Sequence, residues 1–157
     1  MTAGLRTALQ RDFESFLLKA HGERLDDCYI SHLAHELAKV ARREIKRLIV
    51  NLPPRHLKTF ASSICLPAFI LGRDPSAKIM IVTYGENLAT EIADRVRGIM
   101  RAAWYRATFN TRISPDHARV SDFATSGLSR RLRARSVAAR SQRIGRGWQR
   151  DVGRSER

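Results

Sequence analysis

The sequence predicts an α/β fold in which helices flank a parallel β-sheet. Two short apolar runs, residues 47–52 and 78–84, are predicted strands, and a predicted helix follows each of them, at 59–71 and 86–103. Both runs are nearly continuous rather than alternating, which is typical of strands that are covered on both faces. Strand–helix–strand–helix order with buried strands favours a parallel sheet with right-handed crossovers.

The first 45 residues are predicted to be a helical lead-in to this sheet. Residues 8–20 place apolar side chains on one helical face, and Ser31 is the predicted N-cap of a second helix that runs to about residue 43. Near the other end of the α/β region, Trp104, Tyr105 and Phe109 are predicted to pack on the core, with stacking on a nucleic-acid base as the alternative. Cys65 is predicted to be a packing residue, because nothing near it in the sequence would stabilise a thiolate.

Charge and cysteine usage limit the functional classes. The net charge is +14, and residues 126–157 contribute +8 of it through ten Arg, no Lys and two acids. Such an excess favours a polyanionic partner, nucleic acid first and an anionic membrane second. Two cysteines make no disulfide framework, and no apolar run is long enough to span a bilayer or to form a signal peptide. The sequence therefore predicts a cytoplasmic protein without a membrane association.

The segment between the first predicted strand and its helix, Pro53 to Thr59, has the layout of a phosphate-binding loop. That layout is a strand, a loop, a Lys-[Ser/Thr] pair and a helix. The helix N-terminus presents free backbone N–H groups and a partial positive charge to an anion. In this arrangement Lys58 would reach the outer phosphates of a nucleotide, and the Thr59 hydroxyl would hold Mg²⁺.

The generic motif G-x-x-x-x-G-K-[ST] is not fulfilled. Aligned on Lys58, its two glycine positions are occupied by Leu52 and Leu57. A glycine before the lysine lets the backbone adopt φ > 0 beside the phosphate, whereas a leucine in that conformation is strained. The residues themselves therefore leave two interpretations open: a nucleotide-binding loop, or an ordinary strand–turn–helix whose lysine reaches from its apolar surroundings to solvent.

Two stretches, NLPPRHLKTF and GRDPSAKIMIVTYGENLATEIADRVRGIMRAAWY, resemble the N-terminal ATPase region of the large terminase subunit of tailed bacteriophages, over roughly residues 16–125. In that family the loop is commonly P-P-R-H-x-K-[ST]. The resemblance implies an ATP-driven DNA-packaging motor in the cytoplasm of a bacterial host, with ATP and Mg²⁺ as cofactors. The implied partners are double-stranded DNA, the portal protein, the small terminase subunit and further copies of the chain. The implied nucleotide-binding residues are Pro53, Pro54, Arg55, His56, Leu57, Lys58 and Thr59, with Thr59 on the metal and Arg55 as the candidate γ-phosphate sensor.

The sequence departs from this family after residue 125. Relatives continue to a Gly-rich stretch and a Walker B strand that ends in two acids, whereas Ser126 begins an Arg-rich stretch without an apolar run or paired acids. We therefore predict a partial P-loop NTPase domain at 46–125 and a disordered basic tail at 126–157, which a shift of reading frame would produce. The resemblance also implies a separate nuclease domain. The Walker B acids and the nuclease carboxylates would then both be missing from this chain, so whether it is an enzyme stays open. Two alternatives remain: a basic nucleic-acid-binding protein with an α/β scaffold and a genuine disordered tail, and a small autonomous P-loop nucleotide-binding protein.

Overall fold

The computed structural model describes residues 2–22, 28–119, 122–125 and 131–136, with side chains for those up to Ile113. Most of the residues before Ile113 are helical, and within the described residues no helix is long and apolar enough to cross a bilayer. The helices are α1 (Ala3–Arg11), α2 (Phe13–His21), α3 (Cys28–Ala41), a π-helix (Phe60–Cys65), α4 (Leu66–Arg73), α5 (Glu86–Arg101) and α6 (Ala103–Thr108).

Four short strands form one mixed sheet, in the order β1-β4-β3-β2. Strand β1 pairs in parallel with β4, with Ile79 opposite Leu132 and Thr83 opposite Ser136, and the other two pairings are antiparallel. The strands are β1 (Ile79–Thr83), β2 (Ile113–Arg119), β3 (Asp122–Thr125) and β4 (Arg131–Ser136). Strand β4 is the described part of the predicted tail, and residues 126–130 and 137–157 lie outside the described residues.

The predicted parallel-sheet P-loop NTPase fold is wrong. From Thr2 to Arg112 the described residues contain one strand, β1, and no sheet forms among them. Residues 47–52, predicted to be the first strand, have no regular secondary structure. A strand exists through hydrogen bonds to a neighbour, and β1 pairs with β4 instead of with this segment. Alternate residues of the run, Leu48, Val50 and Leu52, are half-buried against the helical core instead.

The two apolar runs are covered on one face only, which also corrects the prediction. In the first run Leu48 and Val50 are half-buried, whereas Ile49 between them is 94% exposed. Strand β1 lies where the sequence placed it, yet Ile81 is buried while Met80 and Val82 are 61% and 53% exposed. A continuous apolar run predicts two covered faces only if the chain supplies a covering layer on each side, and the described residues cover one side only.

Local capping explains where the N-terminal helices differ from prediction. The single helix expected at 8–20 is divided at Asp12, because the Asp12 carboxylate accepts a hydrogen bond from the Ser15 backbone N–H at 2.8 Å and starts α2. Gly22 then ends α2 with a left-handed φ of 83°. Helix α3 begins at Cys28, before the predicted cap Ser31, whose hydroxyl donates to the Glu14 carboxylate instead.

The helix after the loop changes type just before Pro67. A bend was expected at Pro67, because proline removes a helical hydrogen bond. In the structure the π-helix ends at Cys65 and α4 starts at Leu66, which places Pro67 in the first turn of a new helix. Because Cys65 and Leu66 are themselves helical, a carbonyl of the preceding turn loses the bond that an N–H at position 67 would donate, and the change from π to α geometry falls at this point. The predicted helix at 86–103 is confirmed as α5, with Ala89, Ile92 and Val96 buried along one face.

The core is centred on an aromatic cluster that joins α2, α4 and α6. The Phe16 ring centroid lies 5.3 Å from that of Phe69 and 5.3 Å from that of Trp104, in edge-to-face geometry. Tyr105 is fully buried, and its hydroxyl donates to the Ala68 carbonyl oxygen at 2.8 Å. Phe109 is also buried, so the prediction that these aromatic residues pack on the core is confirmed.

Gly72 allows α4 to approach this cluster, which gives a stability prediction. A Cβ at Gly72 would lie 2.8 Å from the Phe109 ring and 2.9 Å from the Tyr105 hydroxyl oxygen. We expect Gly72→Ala to lower the free energy of unfolding by about 1–3 kcal/mol, the usual cost of overpacking. Urea denaturation measures it. The matched control is Gly98→Ala on α5, where a Cβ meets nothing within 4 Å, so higher helix propensity should raise stability by up to about 1 kcal/mol. Equal effects at the two positions would contradict this account of Gly72.

Candidate phosphate-binding loop

The loop Pro53–Thr59 leads from the irregular 47–52 segment into the π-helix. The first helical hydrogen bond here runs from the Ala61 N–H to the Leu57 carbonyl oxygen at 2.8 Å. The amides of residues 58–60 precede this bond, so helical geometry provides them with no intrahelical acceptor. The segment therefore presents the end of a helix whose backbone donors are suited to an anion.

The backbone of this loop is left-handed at two residues that are not glycine. Arg55 has φ of 66° and Leu57 has φ of 53°, and Arg43 is the third such residue in the described part of the chain. Leu57 occupies the position that the generic motif reserves for glycine. The structure thus adopts at Leu57 the conformation for which the motif uses glycine, at a cost of about 1–2 kcal/mol. Strain of this size persists only where the surrounding structure imposes it, and it is common at binding sites.

Lys58 folds back over the loop. Its side chain is half-buried, and Nζ donates to the Leu52 carbonyl oxygen at 3.2 Å. The ammonium group therefore lies at Leu52, the first glycine position of the motif, rather than at the end of an extended side chain in bulk water. Thr59, which follows, is exposed. The Lys58 carbonyl oxygen accepts a hydrogen bond from the Ser62 hydroxyl at 2.7 Å, which ties the first turn together.

The π-helix after the loop is a second uncommon feature of the same segment. Six residues, Phe60–Cys65, adopt it, whereas most π-helices are single turns that often lie at functional sites. Its inner face is buried through Ala61, Ile64 and Cys65. Burial raises the pKa of the Cys65 thiol to about 12, so the sulfur is a protonated packing group at neutral pH, as predicted.

The remaining predicted loop residues are arranged around a turn. Pro53, Pro54 and Arg55 are exposed, and His56 is half-buried. The His56 Nδ1 atom lies 2.8 Å from the Pro54 carbonyl oxygen, and the His56 ring centroid lies 5.3 Å from that of Tyr29 on α3. The structure thus keeps the seven predicted residues in one loop and joins that loop to helix α3.

A groove of about 260 Å³ runs between α3 and residues 48–52, and sequence reasoning missed it. Helix α3 contributes Tyr29, His32, Leu33 and Glu36. These four residues are spaced i, i+3, i+4 and i+7, which places them on one helical face, so a signal was present. It was overlooked because the facing segment was expected to pair as a strand.

A larger cavity of about 620 Å³ lies between the C-terminal ends of α1 and α4 and residues 109–111. Exposed Arg11 and Arg73 lie in its lining together with Asn110. The Arg73 guanidinium carbon lies 5.5 Å from the centroid of the Phe69 ring, which holds that side chain through a cation–π contact. No spacing in the sequence brings these two arginines together, because they lie 62 positions apart, on different helices.

The described residues contain no group of three or more His, Cys, Asp or Glu side chains that would hold a metal ion. The lack of such a group is compatible with Mg²⁺ bound beside a nucleotide. Mg²⁺ usually keeps several waters and takes only one or two protein ligands together with phosphate oxygens. In the loop, the hydroxyl of the exposed residue Thr59 would be the protein ligand for such an ion.

Comparisons of the chain with protein-family models, with curated proteins and with solved structures found no match.

The strain at Leu57 predicts that a glycine variant is more stable than an alanine variant at this position, the reverse of the usual order. Leu57→Gly and Leu57→Ala both lose the leucine packing, but only alanine keeps a Cβ at φ of 53°. We expect the glycine variant to be more stable by about 0.5–1 kcal/mol, because relief of strain exceeds the extra entropy of glycine. At Thr59, where φ is −64°, the alanine variant should be the more stable by about 1 kcal/mol. Urea titration of the glycine and alanine variants at Leu57 and at Thr59 measures both differences in the free energy of unfolding. If alanine were the more stable residue at both positions, Leu57 would not be strained.

Proposed function

We propose that the loop Pro53–Thr59 binds the phosphates of a nucleoside triphosphate, ATP by family resemblance, together with Mg²⁺. The observation that carries this proposal is the left-handed backbone of Leu57 immediately before Lys58. A leucine in this conformation costs about 1–2 kcal/mol, and its half-buried side chain packs against the helical core, which helps to hold the strained turn. The same conformation turns loop amides toward one side, which is how phosphate-binding loops hold an anion.

Each loop residue has a role in this proposal. The amides of residues 58–60 and the partial positive charge of the helix end receive phosphate oxygens. The Lys58 ammonium leaves the Leu52 carbonyl oxygen, its partner at 3.2 Å, and pairs with an outer phosphate, which is a stronger, charge-assisted contact. The Thr59 hydroxyl contacts Mg²⁺, and Arg55 reaches the γ-phosphate from the exposed side of the turn.

Binding should be weak, because the loop lacks rigid support. The 47–52 segment before it is not part of a sheet, and Ile49 within that segment is almost fully exposed. Ordering such a segment costs part of the interaction free energy. In the wider proposal the chain is the nucleotide-binding part of a terminase-like DNA-packaging protein, without turnover of its own. Hydrolysis requires carboxylates that orient water and hold the metal, and the sequence after residue 125 lacks the paired acids of the family.

We expect Lys58→Ala to weaken MgATP binding at least tenfold, since it removes a charge-assisted contact worth about 1.5–3 kcal/mol. Thr59→Ala should weaken only the Mg²⁺-dependent part of the affinity. Calorimetric titration with MgATP and with metal-free ATP measures both. The matched control is Lys78→Ala, which removes the same charge from an exposed lysine outside the loop and should bind as the parent chain does.

Two results would count against this proposal. Equal MgATP affinity in the parent chain and in Lys58→Ala would exclude the loop as the phosphate site. ATP hydrolysis above background that disappears in Lys58→Ala would keep the site but would show that other carboxylates, such as Asp116 or Asp122, complete a catalytic set.

A second function, binding of double-stranded DNA, is supported by the cavity that Arg11 and Arg73 line. Both guanidinium groups are exposed, they approach from two different helices, and Asn110 adds an uncharged hydrogen-bonding group. Arginine side chains bind phosphate oxygens with two parallel hydrogen bonds, so a pair of them suits the backbone of a nucleic acid. The net charge of +14 adds a general attraction that is independent of sequence.

The two arginines predict a change in the salt dependence of DNA binding. In the double variant Arg11→Gln/Arg73→Gln, the slope of log K against log salt should fall by about 2, because each phosphate contact contributes about 0.9. Fluorescence anisotropy with a duplex at several salt concentrations measures the slope. The control is Arg95→Gln/Arg101→Gln on α5, which carries the same charge change at exposed positions. Equal slopes for the two double variants would assign the binding to overall charge instead of to this cavity.

A further inference from the structure

The groove between α3 and residues 48–52 is joined to the phosphate-binding loop by two contacts. The Lys58 ammonium lies 3.2 Å from the carbonyl oxygen of Leu52, and Leu52 is one of the residues that line the groove. On the other side, the His56 ring of the loop packs on the Tyr29 ring of the groove, with centroids 5.3 Å apart. A ligand whose phosphates contact Lys58 therefore has its charged end next to Leu52, a residue of the groove lining.

The lining of the groove has the chemistry of a nucleoside site. It is mainly apolar, through Leu33, Leu48 and Val50, and Tyr29 adds an aromatic ring. Small-molecule sites in proteins combine such walls with a few polar groups that fix orientation. Here Glu36 is the group that accepts hydrogen bonds.

Glu36 is held ionised by a neighbour outside the groove. Lys39 Nζ donates to Glu36 Oε1 at 2.7 Å, and this hydrogen bond lowers the pKa of the carboxyl group. An ionised carboxylate only accepts hydrogen bonds, so it selects a partner with N–H groups. The exocyclic amine of adenine is such a partner.

We propose that this groove holds the nucleoside of the nucleotide whose phosphates the Pro53–Thr59 loop binds, with an amine-bearing purine against Tyr29 and its amine toward Glu36. The proposal rests on the proposed function, because it assumes that the loop binds the phosphates. It adds the site of the base and a reason for preferring one base over another.

The first experiment compares MgATP with magnesium tripolyphosphate, which has the phosphates but no nucleoside. We expect ATP to bind about tenfold more tightly, because a base stacked on an aromatic side chain adds a contact that tripolyphosphate lacks. Tyr29→Ala should abolish this difference by lowering the affinity for ATP. Tyr29→Phe should keep the difference, because it keeps the ring. Circular dichroism establishes that each variant is folded, and Tyr29→Leu replaces the alanine variant if that one does not fold.

A second comparison tests the recognition of the amine. Inosine triphosphate has an oxygen in place of the adenine amine, so it should bind several-fold more weakly than ATP, and Glu36→Gln should remove this preference. Two histidines on α3 provide a matched pair: His32 lines the groove and His35 does not, although both are exposed. His32→Ala should lower the affinity for ATP but not for tripolyphosphate, and His35→Ala should change neither.

The outcomes separate this proposal from the function on which it rests. Equal affinity for ATP and tripolyphosphate, both lost in Lys58→Ala, would overturn the groove and leave the loop intact. ATP binding that depends on Tyr29 but not on Lys58 would support the groove and exclude the loop. Absence of binding by both ligands would overturn both proposals. Gel filtration addresses another occupant: dimerisation that is lost in Tyr29→Ala would assign the groove to a second copy of the chain and overturn the proposal.

Discussion

The packing of aromatic rings around Phe16 is the interaction on which the rest of the structure depends. Its ring meets those of Phe13, Phe69 and Trp104, and thereby links α2 to α4 and α6. The π-helix and α4 follow each other without a break, so the position of Phe69 in this cluster also fixes where the chain emerges from the loop. Close packing of buried rings leaves few positions that the eight-residue helix α4 can take. The position of α4 in turn restricts the geometry of the loop before it.

The sequence predicted the elements whose signals are local. Helix α5 and strand β1 lie where periodicity and the break at Gly85 placed them, and the aromatic residues after α5 are buried as expected. The sheet was not predictable in the same way. Residues 47–52 and 78–84 have the same apolar character, but only the second run has a strand beside it, and that neighbour is the Arg-rich segment Arg131–Ser136. Pairing depends on distant residues, which periodicity within one run does not report.

For the candidate site, the sequence identified the loop but not its surroundings. Lys58 and Thr59 follow from the motif, and the mismatch at Leu57 pointed to strain that the structure contains, with φ of 53°. The spacing of Tyr29 and Glu36 shows that they share one face of α3, but that this face lies beside the loop follows only from contacts between α3, His56 and the 48–52 segment. A motif specifies the residues that touch a phosphate, whereas the walls beside it come from the tertiary fold.

The open groove and the weak support of the loop have one physical cause. A neighbouring strand would give the backbone of residues 48–52 hydrogen-bond partners and rigidify the approach to Pro53, and a layer packed on the outer face would bury Ile49. The described residues supply neither, so Ile49 stays 94% exposed and the groove remains accessible from the loop. The same absence leaves the strained turn at Leu57 dependent on contacts of its half-buried side chain with the helical core. A nucleotide that occupied both the groove and the loop would supply contacts on both sides of this segment. Ordering this segment on binding would consume part of the binding free energy. A segment that is already rigid would not incur that cost, so affinity should rise with local rigidity.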